Sequence, residues 1–336
     1  MYPENVMPDF MLLAASLGLL LLAARYFVDG ISTIAESLGV PKIVIGMTVV
    51  AFGTSTPELV VNSISAYQGS TDLAFGNIVG SCLVNVGFVL GLTALIRPMK
   101  VEASLITREI PMLIVAVAAI VVLGSDRFLN AEAQDTWRRG DGLILLLLFC
   151  IFLYYTTRQA RGAGNSDAFI AEVREEVARA APKSLWIQIG VTLAGFIGVS
   201  LGANWTVQYA VAIARGIGVS ETVIGLTVIS LGTTLPELAT CILAARRGDA
   251  DIALGNIVGS NLFNLLCIGG IVSTVRPVAI PAGGHIDLMV MAFLSVVLLP
   301  IAIRSGRTIT RGEGAFLMAI FIAYLGWRVA GVSYAK

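Results

Sequence analysis

Residues 46–98 read GMTVVAFGTSTPELVVNSISAYQGSTDLAFGNIVGSCLVNVGFVLGLTALIRP, and residues 225–277 read GLTVISLGTTLPELATCILAARRGDADIALGNIVGSNLFNLLCIGGIVSTVRP. Aligned without a gap at an offset of 179, the two stretches agree at 23 of 53 positions. Two apolar segments share Leu, Val and Ala through composition alone. They do not share GT-x-x-PEL, D-x-A-x-GNIVGS and a trailing RP in register, so the chain carries an internal repeat.

The repeat sits in a chain made for lipid. Of 336 residues, 57% are hydrophobic and 13% charged, about half the roughly 25% charge of an average soluble domain. The mean hydropathy is +0.86. A membrane helix needs about 20 apolar residues, and ten such windows occur, at 9–28, 43–67, 73–96, 109–124, 142–157, 185–204, 222–245, 252–275, 286–303 and 314–332. The first is kept as a mature helix, since no small-residue cleavage site follows it. The expected fold is an all-α polytopic membrane protein of ten transmembrane helices. Lys+Arg and Asp+Glu both number 22, and nothing in this balance points to a nucleic-acid partner, so none is expected. Cys82, Cys150, Cys241 and Cys267 form no paired motif and read as packing residues, while a solitary His285 argues against a zinc site or a histidine-based triad.

The two copies are five spans apart, an odd number of crossings, so they enter the membrane from opposite sides. Residues 1–157 then form a first five-helix half and 185–336 a second, inverted one, with 158–184 as a cytoplasmic linker carrying a short surface helix. With the N-terminus outside, 15 of the 22 basic residues fall on the cytoplasmic side and 7 outside. That bias fits an N-out, C-out multi-pass protein of the plasma (inner) membrane. Inverted repeats place substrate sites near the bilayer midplane, between discontinuous helices.

Both copies carry the means to break a helix. Pro57 gives the Gly53 carbonyl no N–H, and Gly53 loosens the same turn, freeing carbonyls from about Ala51 to Thr54. Pro236 and Gly232 do the same near Ser230 and Thr233. Such groups must face protein or a polar cavity. Glu58 and Glu237 follow the prolines, and an ionisable residue at mid-membrane marks a functional site by default. Ser81 and Asn85, like Ser260 and Asn264, are one helical turn apart on one face. Gly76, Gly80, Gly255 and Gly259 read as a close-packing face. The donors are carboxylates, carbonyls, hydroxyls and amides, a hard-cation set. Calcium takes six to eight oxygens, which bidentate Glu58 and Glu237 with the carbonyls of Thr54 and Thr233 begin to supply. Neighbouring hydroxyl and amide oxygens could hold sodium.

These motifs resemble those of the sodium/calcium exchangers of the cation/calcium antiporter superfamily, whose repeats carry GT[ST]-x-PE and GN-x-x-GS; the chain looks like a prokaryotic-type member. The resemblance implies exchange of several Na⁺ for one Ca²⁺ by alternating access, with no cofactor beyond the transported ions and no obligate protein partner. It implies that Glu58 and Glu237 are shared ligands and that Thr54 and Thr233 bind calcium through carbonyls. Ser55, Ser81, Thr234 and Ser260, with the carbonyls of Ala51 and Ser230, would form the outer sodium sites, and Asn85 and Asn264 would close the centre. Some relatives, potassium-dependent ones included, have aspartate where this chain has Asn264, which argues against a potassium requirement. Thr234 and Ser230 against Ser55 and Ala51 make the halves inequivalent. Residues 158–184 are too few for a calcium-sensing domain.

The rival to sodium coupling is Ca²⁺/H⁺ exchange through the same carboxylates. A carboxylate pair could also serve an intramembrane hydrolase, but no protease motif accompanies the glutamates. A passive channel would show continuous conductance in place of saturable, coupled flux.

Overall fold

The computed structural model describes residues 6–38, 42–163, 185–216 and 230–334. It is helical almost throughout. The helices are α1 (Val6–Leu38), α2 (Lys42–Thr54), α3 (Thr56–Gln68), α4 (Thr71–Ile96), α5 (Leu105–Leu123), α6 (Arg139–Ala163), α7 (Leu185–Gly216), α8 (Ser230–Thr233), α9 (Leu235–Arg247), α10 (Ala250–Val275), α11 (Gly284–Arg307) and α12 (Arg311–Tyr334). Among the described residues, seven helices are long and apolar enough to cross a membrane, or eight when the bent pair α2–α3 is taken as one span. Of the two remaining expected spans, 222–245 begins with residues that lie outside the described ones, and 314–332 falls within α12. The linker 158–184 is described only through residue 163.

The framework divides into two compact units, Met1–Thr54 with Tyr154–Asn256, and Ser55–Leu153 with Ile257–Lys336. Each draws on both halves of the sequence. In the first unit α1 packs along α7 through small residues. A Cβ on Gly195 would lie 2.6 Å from the Phe27 nitrogen, one on Gly198 2.7 Å from the Ala23 Cβ, and one on Gly202 2.8 Å from the Leu20 backbone. Close backbone approach of this kind is what associates helices where lipid removes the hydrophobic drive. α2 meets α10 in the same way, with Gly255 against the Ile43 carbonyl and Gly46 against that of Ile252. Lys42 Nζ pairs with Asp249 Oδ1 at 2.7 Å, and Arg247 pairs with Asp29 on α1.

In the second unit two short antiparallel ladders tie connections together. β1 (Met99–Lys100) pairs with β4 (Thr308–Ile309), and β2 (Thr136–Trp137) pairs with β3 (Val278–Ala279). β1 and β3 follow the RP that ends each repeat copy. Trp137 is fully buried, stacks against Phe75 and donates from Nε1 to the Ile120 carbonyl. Beside it Arg138 pairs with Glu132 at 2.8 Å, a contact that raises its guanidinium above the ordinary value.

The close-packing role expected of the glycines holds at Gly255 and fails at Gly76 and Gly80, where an added Cβ would meet nothing within 4 Å. Sequence spacing reports a face, and only the neighbour decides whether that face is covered. Gly255→Ala therefore forces Ile43 or Met47 to shift, at a cost of about 1–3 kcal/mol, and lowers the thermal midpoint of the detergent-solubilised protein. Gly76→Ala should leave it unchanged or raise it, since Ala exceeds Gly in helix propensity by about 1 kcal/mol.

Candidate ion-binding site

The helix breaks fall one residue beyond the carbonyls expected to be freed. Ser55 (φ −89°, ψ 5°) separates α2 from α3, and Thr234 (φ −92°, ψ 3°) separates α8 from α9. Equivalent residues of the two copies thus adopt the same bridge conformation. The α2–α3 bend is 47°. Each proline enters the following helix within its first turn, where a missing N–H costs least. That placement leaves the carbonyls of Gly53 and Gly232 facing a residue with no N–H to offer. α3 and α9 end alike, on Gly69 (φ 86°) and Gly248 (φ 96°), both in the left-handed region that glycine tolerates.

α4 and α10 carry a second matched irregularity. Each widens into a π turn, at Val84–Val89 and Phe263–Ile268, so that Leu90 N–H reaches the Asn85 carbonyl and Gly269 N–H the Asn264 carbonyl. The two turns are offset by the repeat spacing of 179, and π turns concentrate at functional sites. An inserted residue rotates all that follows by about 100° about the axis. Nothing in the apolar pattern announces it. Of the seven single candidate spans among the described residues these two are the most enclosed, with 78% and 89% of the apolar window buried against 22–44% in the others.

In the first unit Glu237, Thr54, Thr234 and Asn256 are all buried. Thr54 Oγ1 lies 3.2 Å from Asn256 Oδ1, 3.1 Å from the Val50 carbonyl and 3.4 Å from that of Ala51. Asn256 Nδ2 donates to Cys241 Sγ at 3.3 Å. Thr233 is half-buried, Ala51 is buried, and Ser230 opens α8.

The second unit buries Ser55, Glu58, Asn62, Ser81, Asn85, Ser260, Asn261 and Asn264. Asn62 Nδ2 donates to the Glu58 carbonyl at 2.8 Å, and Ser81 Oγ to Asn77 Oδ1 at 3.3 Å. Asn85 Nδ2 donates to Asn261 Oδ1 at 3.0 Å. Both polar atoms of the Asn264 amide, and Asn85 Oδ1, are buried with no hydrogen-bond partner among the described residues. Leaving such a group unsatisfied costs about 1–3 kcal/mol, so a ligand that accepts those oxygens recovers free energy. Ser55, Ser81 and Ser260 hydroxyls and the Glu58 carboxylate are buried in the same unit, an all-oxygen donor set of the kind that suits hard cations.

The expected residues thus divide between the units. Ser55, Glu58, Ser81, Asn85, Ser260 and Asn264 gather in one, and Ala51, Thr54, Ser230, Thr233, Thr234 and Glu237 in the other. The sequence reading missed Asn62 and Asn261, and gave Asn256 no role. A signal existed at the offset of 179, where Asn62 faces Cys241 and Cys82 faces Asn261 in the alignment. Polar-for-thiol exchanges inside matching motifs mark where the copies do different work. Cys241 and Cys82 are accordingly more than packing, since each makes sulfur contacts to the asparagine network or its helix.

The sodium/calcium exchanger protein family matches residues 9–158 and 187–330. The putative antiporter CaxA of Alkalimonas amylolytica is 36% identical over 312 residues, 91% of this chain and 94% of that protein. Sodium/calcium exchanger MaX1 of Methanosarcina acetivorans is 31% identical over 94% of this chain and 97% of its own length. A solved structure of the sodium-calcium exchanger NCX_Mj superposes with a TM-score of 0.81 at 29% identity, covering 96% of this chain and 98% of that one. The chain belongs to the sodium/calcium exchanger family of integral membrane antiporters.

Proposed function

We propose that the protein exchanges Na⁺ for Ca²⁺ across the plasma (inner) membrane by alternating access, with both ions competing for one midplane site fed by both repeats. The observation that carries this reading is the pair of buried glutamates, Glu58 and Glu237, at equivalent positions just past equivalent helix breaks. In this reading the halves 1–157 and 185–336 are inverted five-helix repeats in a ten-helix, N-out and C-out chain, joined through 158–184. The names of MaX1 and NCX_Mj, both sodium/calcium exchangers, support the choice of ions.

Two carboxylates neutralise one divalent ion or two monovalent ones, which makes the swap nearly isoelectric at the centre. Glu58 and Glu237 ligate whichever cation is bound. The Thr54 and Thr233 carbonyls complete calcium coordination, whose flexible geometry and 2.3–2.6 Å distances suit mixed donors. Ser55, Ser81, Thr234, Ser260 and the carbonyls of Ala51 and Ser230 take further sodium ions, and Asn85 and Asn264 close the centre. The Asn264 amide, unsatisfied within the described protein, supports an external cation as its partner.

An outward-directed sodium gradient in proteoliposomes should drive calcium uptake, and a pH jump without sodium should not. Uptake that follows the pH jump and ignores sodium would assign proton coupling through the same carboxylates. Glu58→Gln and Glu237→Gln each remove a ligating charge and should raise the half-saturating calcium concentration at least roughly thirtyfold, in the range seen when one member of a buried charge pair is truncated. For topology, Arg161→Cys should react with a membrane-impermeant maleimide only after permeabilisation and Lys336→Cys in intact cells, with Cys150 replaced in both.

A further inference from the structure

The two copies differ at one place that bears directly on how the amides are held. Asn85 and Asn264 correspond across the repeat, as do Cys82 and Asn261. Asn85 Nδ2 donates to Asn261 Oδ1 at 3.0 Å, and Asn261 Nδ2 reaches the Cys82 carbonyl at 3.5 Å. Cys82 Sγ lies 3.9 Å from the Asn261 carbonyl in return. Corresponding residues therefore touch each other, which is what a two-fold relation between the copies produces at its axis. Under that relation the mate of Asn85 with Asn261 is Asn264 with Cys82. A thiol is a weak donor and a weak acceptor, and the outcome differs between the mates: Asn264 keeps both amide atoms buried and without a hydrogen bond among the described residues.

We propose that Asn261 is a positioning residue that fixes the Asn85 amide, and that Cys82 withholds the same anchor from Asn264, giving the cation site one fixed and one adaptive amide. This deepens the exchange reading above and rests on it. In a planar amide the oxygen and nitrogen diverge from one carbon, so a tether on Asn85 Nδ2 also fixes the direction of its Oδ1. That oxygen needs no reorientation when a cation arrives, and preorganisation of this kind is retained as affinity. Asn264 has no tether and takes its orientation from the ion, so it can follow a change between calcium and sodium. If Asn261 were only an interhelical hydrogen bond, its loss would lower stability by about the usual membrane value and leave ion affinity alone.

The full-length variants Asn261→Cys, Cys82→Asn and the double exchange separate these roles in proteoliposomes loaded with sodium. Half-saturating calcium and maximal uptake rate are read for each, with wild type and Glu58→Gln alongside. Asn261→Cys should raise half-saturating calcium about threefold to tenfold, the equivalent of one ordinary hydrogen bond, with a maximal rate within about twofold of wild type. Cys82→Asn should lower half-saturating calcium and slow the maximal rate, because both amides are then fixed. The double exchange moves the tether to the other copy and should return half-saturating calcium to within about twofold of wild type. An unchanged value in Asn261→Cys, or a raised one that the double exchange does not recover, overturns the proposal. Should Asn261→Cys fail to fold, Cys82→Asn decides alone, and an unchanged half-saturation there overturns it. Uptake by the wild type that needs no sodium would refute sodium coupling, while the same shifts in that uptake would still report the tether.

Discussion

Hydrocarbon offers no hydrogen bonds, so a membrane helix can be interrupted only where protein or bound ions satisfy the backbone it exposes. This protein interrupts its helices at Ser55 and Thr234 and widens them at Val84–Val89 and Phe263–Ile268. The enclosure of α4 and α10 follows from that requirement. Glycines along α2, α7 and α10 let neighbouring backbones approach closely. The irregularities also carry buried polar groups. A break places Ser55 or Thr234 at the head of a new helix with Glu58 or Glu237 in its first turn, and a π turn redirects Asn85 or Asn264.

The repeat supplies each device twice, yet the copies have diverged where polar groups meet. Asn62 corresponds to Cys241, and Cys82 to Asn261. In one copy Cys241 accepts the Asn256 amide, while in the other Asn62 turns back to the Glu58 carbonyl. The sulfur-containing positions tune the network without adding charge in a medium where charge is costly.

Much of this was legible in the sequence. The repeat and the proline-driven breaks are covalent properties, eight of the ten expected spans meet a helix or bent pair long and apolar enough to cross a membrane, and the ends of α4 and α10 differ from their expected spans by only a few residues. Other features depend on neighbours that a single chain does not display. The π turns lie in helices that are apolar on most sides, so a shift of face leaves no mark in the hydropathy. Gly76 and Gly80 share the spacing of Gly255, but only Gly255 has a helix against it. The helices α1 and α7 continue past 28 and 204 to Leu38 and Gly216, because helical conformation does not end where hydropathy falls. The halves of the sequence record a duplication, whereas the compact units record packing, and the chain satisfies both by weaving each unit from both halves. Asn261 escaped notice because its partner at the offset is a cysteine, and identity between the copies was the signal being read.

The two short ladders have a mechanical effect. β1 precedes α5 and pairs with β4, which follows α11; β2 follows α5 and pairs with β3, which precedes α11. The two antiparallel helices are therefore laced together at head and foot. Lengthwise slip or separate tilt of either one would break the ladder pairings. When a bilayer is thicker or thinner than their shared apolar length, the usual relief of tipping single helices is closed to them. The adjustment falls instead on the two helices tipping as one body, or on the lipid around them.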